Sequence, residues 1–517
     1  MSFPFLTAII LAPLIGALIM VFIPESEDKM LKVVAAISTF VTLVLSVIIY
    51  IAYDTGVGGF QFNEDIVWVE RFGINYSLGV DGISLPMILL TAIVIFTGVL
   101  ASWSMTKRVK EFFIFLLILV AGVFGVFATR DLFWFYLFFE VAVIPMYVLI
   151  AIWGSTRKEY SAMKLTLYLL VGSAFALIGV IATYVYAGNE LGYLTFDIPT
   201  LASVTYDLGF QKFVFFLMLV GFGFLVPMWP LHTWSPDGHV AAPTAVSMLH
   251  AGVLMKLGGY GLIRAGVFFF PEGAVFWAPL IALLCIVNVA YGAMVAMVQK
   301  DLKFVVGYSS VSHMGYVLLG IAALNTISIS GAVMQMFAHG IMTALFFALI
   351  GNVYNQAHTR EIARFGGLAH QMPRIATGFV IAGLASLGLP GLSNFVAEFL
   401  IFVGTYTANP ELFQVGVFAV PIKALAIIAV LGVVITAIYV LRVVQFTFFG
   451  PRKAEWDHLE DAKGIEMVPI VILCGVLILF GVLPSLMTDI INSGVVPLMD
   501  HVTPALEGSI DKLGGVE

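Results

Sequence analysis

Apolar residues run along this chain in long blocks of about twenty, separated by short polar segments, rather than in alternation. A helix needs ~20 apolar residues to cross a bilayer, and blocks of that kind occur at 2–23, 32–53, 84–104, 112–129, 131–153, 164–187, 213–243, 246–270, 274–298, 305–323, 328–353, 375–404, 418–446 and 467–488. The pattern predicts an all-α integral membrane bundle of about fourteen helices. Barrel strands alternate apolar and polar positions, which these blocks do not do. The first block has no basic residue before it and is long enough to span, so it reads as a helix and not as a cleaved signal.

Two blocks are interrupted. One reads FGFLVPMWPLHTWSP, with Pro227, Pro230 and Pro236; the other reads LASLGLPGLSNFVAEF, with Gly388, Pro390 and Gly391. Proline removes a helical hydrogen bond and clashes with the preceding turn. Irregular backbone at membrane depth survives only against protein or water. Broken helices in corresponding places of two halves point to an inverted-repeat transporter with its ion path at the breaks. Ordinary proline kinks are the competing reading. The organisation expected is N-terminal helices in 1–104, a first repeat in 112–270, a second in 274–446 and a terminal helix at 467–488.

Composition agrees: 61% of the 517 residues are hydrophobic and 11% charged, against roughly 25% charged in soluble domains. Charge also orients the bundle, because loops rich in Lys and Arg stay in the cytoplasm. Sixteen of the 24 basic residues fall in alternate loops, around 29–32, 107–110, 157–164, 300–303, 360–374 and 452–463, and four on the opposite side. That split predicts a multi-pass protein with both termini outside the cytoplasm; the expected location is a bacterial inner membrane. Cys285 and Cys474 lie in apolar runs without metal-ligand spacing, and neither a dinucleotide fingerprint nor a phosphate loop is present. No cofactor or metal is expected on this chain, and no nucleic acid.

Ionisable groups inside the blocks stand out, because burying one in hydrocarbon costs about 2.5 kcal/mol or more. Glu140 is separated by at least eight residues from any other charge, Lys256 lies in MLHAGVLMKLGGYGLIR, and Glu398 follows the second break. His313 and His339 lie in apolar runs, and His232, His239 and His250 surround the first break. Desolvation moves carboxylates and ammonium groups towards neutrality, and histidine titrates near physiological pH. Such a set suits a proton relay. Each residue also has a plain structural reading: a hydrogen-bonded core carboxylate, a snorkelling lysine, a satisfied histidine. Lys423 and Arg442 read as snorkelling, and Arg264 is undecided.

The segments PMWPLHTWSPDGHVAAPTAVSMLHAGVLMKLGGYGLIR and VQKDLKFVVGYSSVSHMGYVLLGI resemble the signatures of the proton-pumping, antiporter-like membrane subunits of respiratory complex I. The likeness runs from about 76 to 450. FFEVAVIPMY and LPGLSNFVAEF resemble the branch that contains bacterial subunit M and mitochondrial NADH dehydrogenase subunit 4. This resemblance implies two inverted five-helix repeats. It implies a relay of Glu140, Lys256, His313, His339 and Glu398, with Glu140 coupling to a neighbouring subunit and Glu398 on the exit side. It implies neighbours of the L and N type, and NADH, FMN, iron–sulfur clusters and quinone held by partner subunits. One position departs: the family's lysine two residues before Pro227 is Leu225 here, which leaves Glu140 without its customary cation. His232 and Lys164 are the candidate replacements, with His250 a further auxiliary. A multisubunit cation/proton antiporter, an energy-converting hydrogenase subunit and a structural spacer that moves no ions all remain open.

Overall fold

The structure is a computed structural model that describes residues 3–514. Thirteen described helices are long and apolar enough to cross a membrane: Phe5–Phe22, Asp28–Ala52, Ser84–Ala101, Val109–Ala128, Leu132–Trp153, Lys158–Leu191, Leu208–Leu225, Thr244–Val267, Pro271–Val298, Leu302–Ala322, Thr326–Ala357, Ile422–Phe449 and Gly464–Val482. A further one is split into Pro373–Ser386 and Ser393–Tyr406. Expected and observed ends differ by up to six residues, mostly where polar first turns extend a helix beyond its apolar run.

The layering is that of a protein dissolved in lipid. The least apolar helices, Thr244–Val267 and Leu302–Ala322, are almost wholly enclosed, together with Thr326–Ala357 and Ser84–Ala101. Several of the most apolar, among them Asp28–Ala52, Ile422–Phe449 and Gly464–Val482, are buried over only about a third of their residues. Lipid tails solvate apolar side chains as well as a core does, so polar groups, not apolar ones, seek the interior.

Helix starts are fixed locally. Asp131 accepts from the Phe133 and Trp134 amides, Asp301 from those of Lys303 and Phe304, and Asn325 from that of Ser328. These caps satisfy amides that have no partner within the helix. Asp131 also bridges to Asp197 through the backbone, and Asp301 to Glu361.

Two features lie outside the predicted elements. Residues 61–80 form an antiparallel hairpin, Gln61–Val69 with Ile74–Val80. Its Glu64 accepts from the Leu6 and Thr7 amides at the start of the first helix. Gly73 turns the hairpin at φ +62°, with its Cα so close to Leu194 that a Cβ would lie 2.0 Å from that carbonyl oxygen. The predicted terminal helix at 467–488 is a correction: the apolar helix ends at Val482, and a second helix runs from Ser485 to Gly514. Pro484 causes the break, because the residue before proline is forced out of helical geometry, as Leu483 shows at φ −120° and ψ 65°. The last helix is anchored by Ser330 to Asn492 at 2.8 Å, by Tyr50 to the Leu486 carbonyl at 2.7 Å and by an ion pair from Lys512 to Glu272.

Candidate functional site

Lys256 sits on the fully enclosed helix Thr244–Val267, at no measurable exposure. The turn before it, His250–Leu254, is π-helical. A π turn displaces the ordinary backbone pairing, and such bulges recur at functional sites. Lys256 Nζ donates to the Ala251 carbonyl five residues back and lies 2.7 Å from His339 Nδ1. Two glycines make that approach possible. Gly252 and Gly340 meet backbone to backbone, and a Cβ on Gly340 would lie 2.5 Å from the Gly252 carbonyl oxygen.

The His339 ring is 5.3 Å from that of His313. His313 Nε2 is 3.1 Å from Ser386 Oγ; Nδ1 is 3.3 Å from the Gln335 amide nitrogen and 3.3 Å from Glu398 Oε1. A ring nitrogen facing a carboxylate oxygen is favourable only with a proton between them. The second break places Glu398: Gly388 adopts φ +62°, the chain leaves the helix around Pro390, and Ser393–Tyr406 restarts with Glu398 turned inward, 3% exposed. A Cβ on Gly388 would lie 2.6 Å from Glu398 Oε2. Lys256, His339, His313 and Glu398 thus lie in one buried row, in which the two histidine rings are neighbours without a hydrogen bond between them.

The first break is built differently. The helix stops at Leu225, turns through Pro227 and the cis Trp229–Pro230 bond, and resumes at Trp234–Ala241. Pro236 lies in the first turn of that second piece, where proline is tolerated, and so is not part of the break. Asn288 braces the turn by donating to the Pro227 carbonyl at 3.0 Å and accepting from the Trp229 amide. Leu225 is buried in apolar contact.

Glu140 is only half-buried, and its Oε1 has no hydrogen-bond partner. Lys164 does not serve it as a partner in this structure: its Nζ is 2.8 Å from Asp237. His232 packs its ring 5.0 Å from that of Tyr291 and makes no hydrogen bond. His250 lies against His239, with ring centroids 4.2 Å apart and the rings tilted by 54°, also without a hydrogen bond.

Residues that sequence reading missed complete the picture. Arg264 forms a buried ion pair with Asp81, whose position in a polar loop hid it. Lys303, counted among loop cations, is buried at 4% exposure. Gln335 and Ser386 carried no charge to mark them. Arg442 reaches the end of the Pro271–Val298 helix, donating to the Met297 and Gln299 carbonyls.

The family model described as NADH:quinone oxidoreductase/Mrp antiporter, transmembrane, matches residues 129–423. NAD(P)H-quinone oxidoreductase chain 4 of Gloeobacter violaceus is 39% identical over 505 residues, covering 97% of this chain and 93% of that one. A chain of respiratory complex I from Thermus thermophilus superposes with a TM-score of 0.83 at 28% identity, covering 99% of this chain and 100% of that one. A chain of the Mrp complex from a Dietzia species has a TM-score of 0.84 at 19% identity over 99% of this chain and 100% of that one, a likeness of fold. The chain belongs to the membrane-subunit family shared by NADH:quinone oxidoreductases and Mrp antiporters.

Proposed function

We infer that this chain is a proton-translocating, antiporter-like subunit in the membrane arm of an NADH:quinone oxidoreductase. Protons would move along Lys256, His339, His313 and Glu398. The observation that carries this reading is the buried row from Lys256, 2.7 Å from His339, past the neighbouring His313 ring at 5.3 Å, to the His313–Glu398 pair at 3.3 Å. An intramembrane ionisable group is costly unless it is used, and here four lie in series. The matching starts at Asp131 and Asp301, each a cap with a backbone bridge some sixty residues on, support two repeats in 112–270 and 274–446. NADH, FMN, iron–sulfur clusters and quinone belong to partner subunits in this reading, and antiporter-like neighbours of the L and N type flank the chain. The position of Glu140, only partly buried, suits such a boundary. The basic face is cytoplasmic, and the hairpin and last helix lie outside, in a bacterial inner membrane.

The identity to an NAD(P)H-quinone oxidoreductase chain over nearly full length favours this over a stand-alone antiporter. The test is proton pumping by the assembled complex in vesicles, with Glu398→Gln and Glu140→Ala. The expected result is fewer protons moved per quinone reduced, with the larger loss at Glu398. Undiminished pumping in the double variant refutes the relay.

A further inference from the structure

Gln335 lies on the fully enclosed helix Thr326–Ala357, one turn before His339, at no measurable exposure. Residues four apart share a helix face, so the amide and the His339 imidazole both meet His313. Gln335 Nε2 is 3.3 Å from His313 Nδ1, while Gln335 Oε1 is buried without a hydrogen-bond partner. Buried polar atoms are almost always satisfied, so an unpaired amide oxygen beside this histidine needs a reason. Glu398 Oε1 stands 3.3 Å from the same Nδ1, yet makes no hydrogen bond. Two groups thus compete for one ring nitrogen, and the amide holds it.

An amide nitrogen only donates, so Gln335 in this orientation requires a bare Nδ1. The ring's own proton is then on Nε2, 3.1 Å from Ser386 Oγ. A protonated Nδ1 would face amide hydrogens instead. Half a turn about the last side-chain bond of Gln335 brings Oε1 to Nδ1, where it accepts that proton. This torsion is broad and roughly two-fold, and Oε1 has no bond to lose in turning. The other ionisable groups around the ring are His339, with ring centroids 5.3 Å apart and Lys256 behind it, Tyr316 at 5.9 Å, and Tyr439, whose hydroxyl is bound to Ser309 one turn before His313. Among the described residues, only the Gln335 amide hydrogen-bonds Nδ1.

We propose that Gln335 is a positioning residue of the relay, a two-position amide that fixes on which side of the His313–Glu398 contact the proton rests. The proposal rests on the relay reading above. With Nε2 towards the ring, Nδ1 is bare and the proton sits on a Glu398 oxygen. With Oε1 towards the ring, the proton sits on Nδ1, His313 is an imidazolium and Glu398 a carboxylate. Only the proton moves between these states: the N–H bond breaks as the O–H bond forms, and the summed charge of the two side chains stays zero. The orientation in the structure, with Nε2 inward, opposes return of the proton from Glu398 to His313 and so gives the step a direction.

The test compares Gln335→Met and Gln335→Glu in the assembled complex in vesicles. Protons pumped per quinone reduced are recorded against pH, each relative to wild type at the same pH. Methionine keeps the length of the side chain without an N–H donor or a strong acceptor, so its loss of pumping should be the same at every pH. A carboxylate in place of the amide holds the proton on Nδ1, so Gln335→Glu should lose pumping at alkaline pH. Acid protonates the introduced carboxyl and restores both a donor and an acceptor, so pumping should rise towards wild type as pH falls. A role in packing alone gives the two variants parallel pH profiles, and that result overturns the proposal, as does wild-type pumping by Gln335→Met. If the methionine variant fails to assemble, Gln335→Glu decides by itself: a loss that acid does not relieve overturns the proposal. Normal pumping by Glu398→Gln would instead refute the relay reading, whatever the Gln335 variants do.

Discussion

Replacing Asp81 with asparagine removes one charge from a deeply enclosed ion pair, that with Arg264, while leaving the local shape intact. Asp81 and Arg264 side chains are 5% and 4% exposed. Asp81 Oδ1 also accepts from the Ile83 and Ser84 amides at 3.1 and 3.0 Å, a task that an asparagine oxygen can keep. What the substitution deletes is the counter-charge of a guanidinium held between Phe60 and Tyr260, with ring centroids 5.1 and 5.4 Å away. Removing one partner of a buried pair costs about 3–5 kcal/mol, because an uncompensated charge remains, whereas replacing both with apolar groups is often near neutral. Asp81→Asn should therefore lower the folding equilibrium by roughly 10² or more, at about 1.36 kcal/mol per factor of ten. Arg264→Met should cost less, and the pair of substitutions together should recover most of the loss. The assay is the heating midpoint at which the purified complex loses its gel-filtration peak, taken for both single variants and the double. A double variant whose loss equals the sum of the single losses would refute the pair as a coupled unit.

Two further outcomes follow from the second break and from the charge bias. Gly388→Ala places a methyl 2.6 Å from Glu398 Oε2 at a left-handed φ, so the assembled complex should pump fewer protons per quinone reduced while its total yield falls modestly; unchanged pumping would mean that Glu398 does not depend on that contact. A periplasm-active reporter fused to the C-terminus should be active in the assembled complex, because the last helix packs on the face opposite the basic loops; activity of a cytoplasm-only reporter there would reverse the orientation.

Much of the bundle was legible because spanning helices announce themselves by length and apolarity alone. Lys256, Glu398, His313 and His339 were legible for the complementary reason, as polar groups placed where polar groups are costly. The hairpin was not: Gln61–Val69 carries acids and amides among its apolar residues, and only pairing with Ile74–Val80 makes it a strand. Asp81 looked like a loop residue until the fold brought Arg264 to it. The last helix was hidden by Pro497, Pro504 and a polar composition below the membrane threshold. Lys164 could be proposed for Glu140 from sequence, but its partner Asp237 lies 73 residues away, a contact that only the tertiary packing decides. Lys303 was counted with the loop cations because it is the second residue of its helix, yet the fold encloses it.

The most direct measurement compares Lys256→Ala and Lys256→Arg in reconstituted vesicles, recording quinone reduction and proton uptake together. Lys256 lies against His339 at 2.7 Å, with no exposure, so a group that cannot release its proton breaks the line as surely as a missing one. The relay predicts that both variants assemble and retain electron transfer when the gradient is collapsed, and that both move fewer protons per quinone reduced. Wild-type pumping by Lys256→Arg would show that the residue acts only as a fixed charge and would contradict the relay.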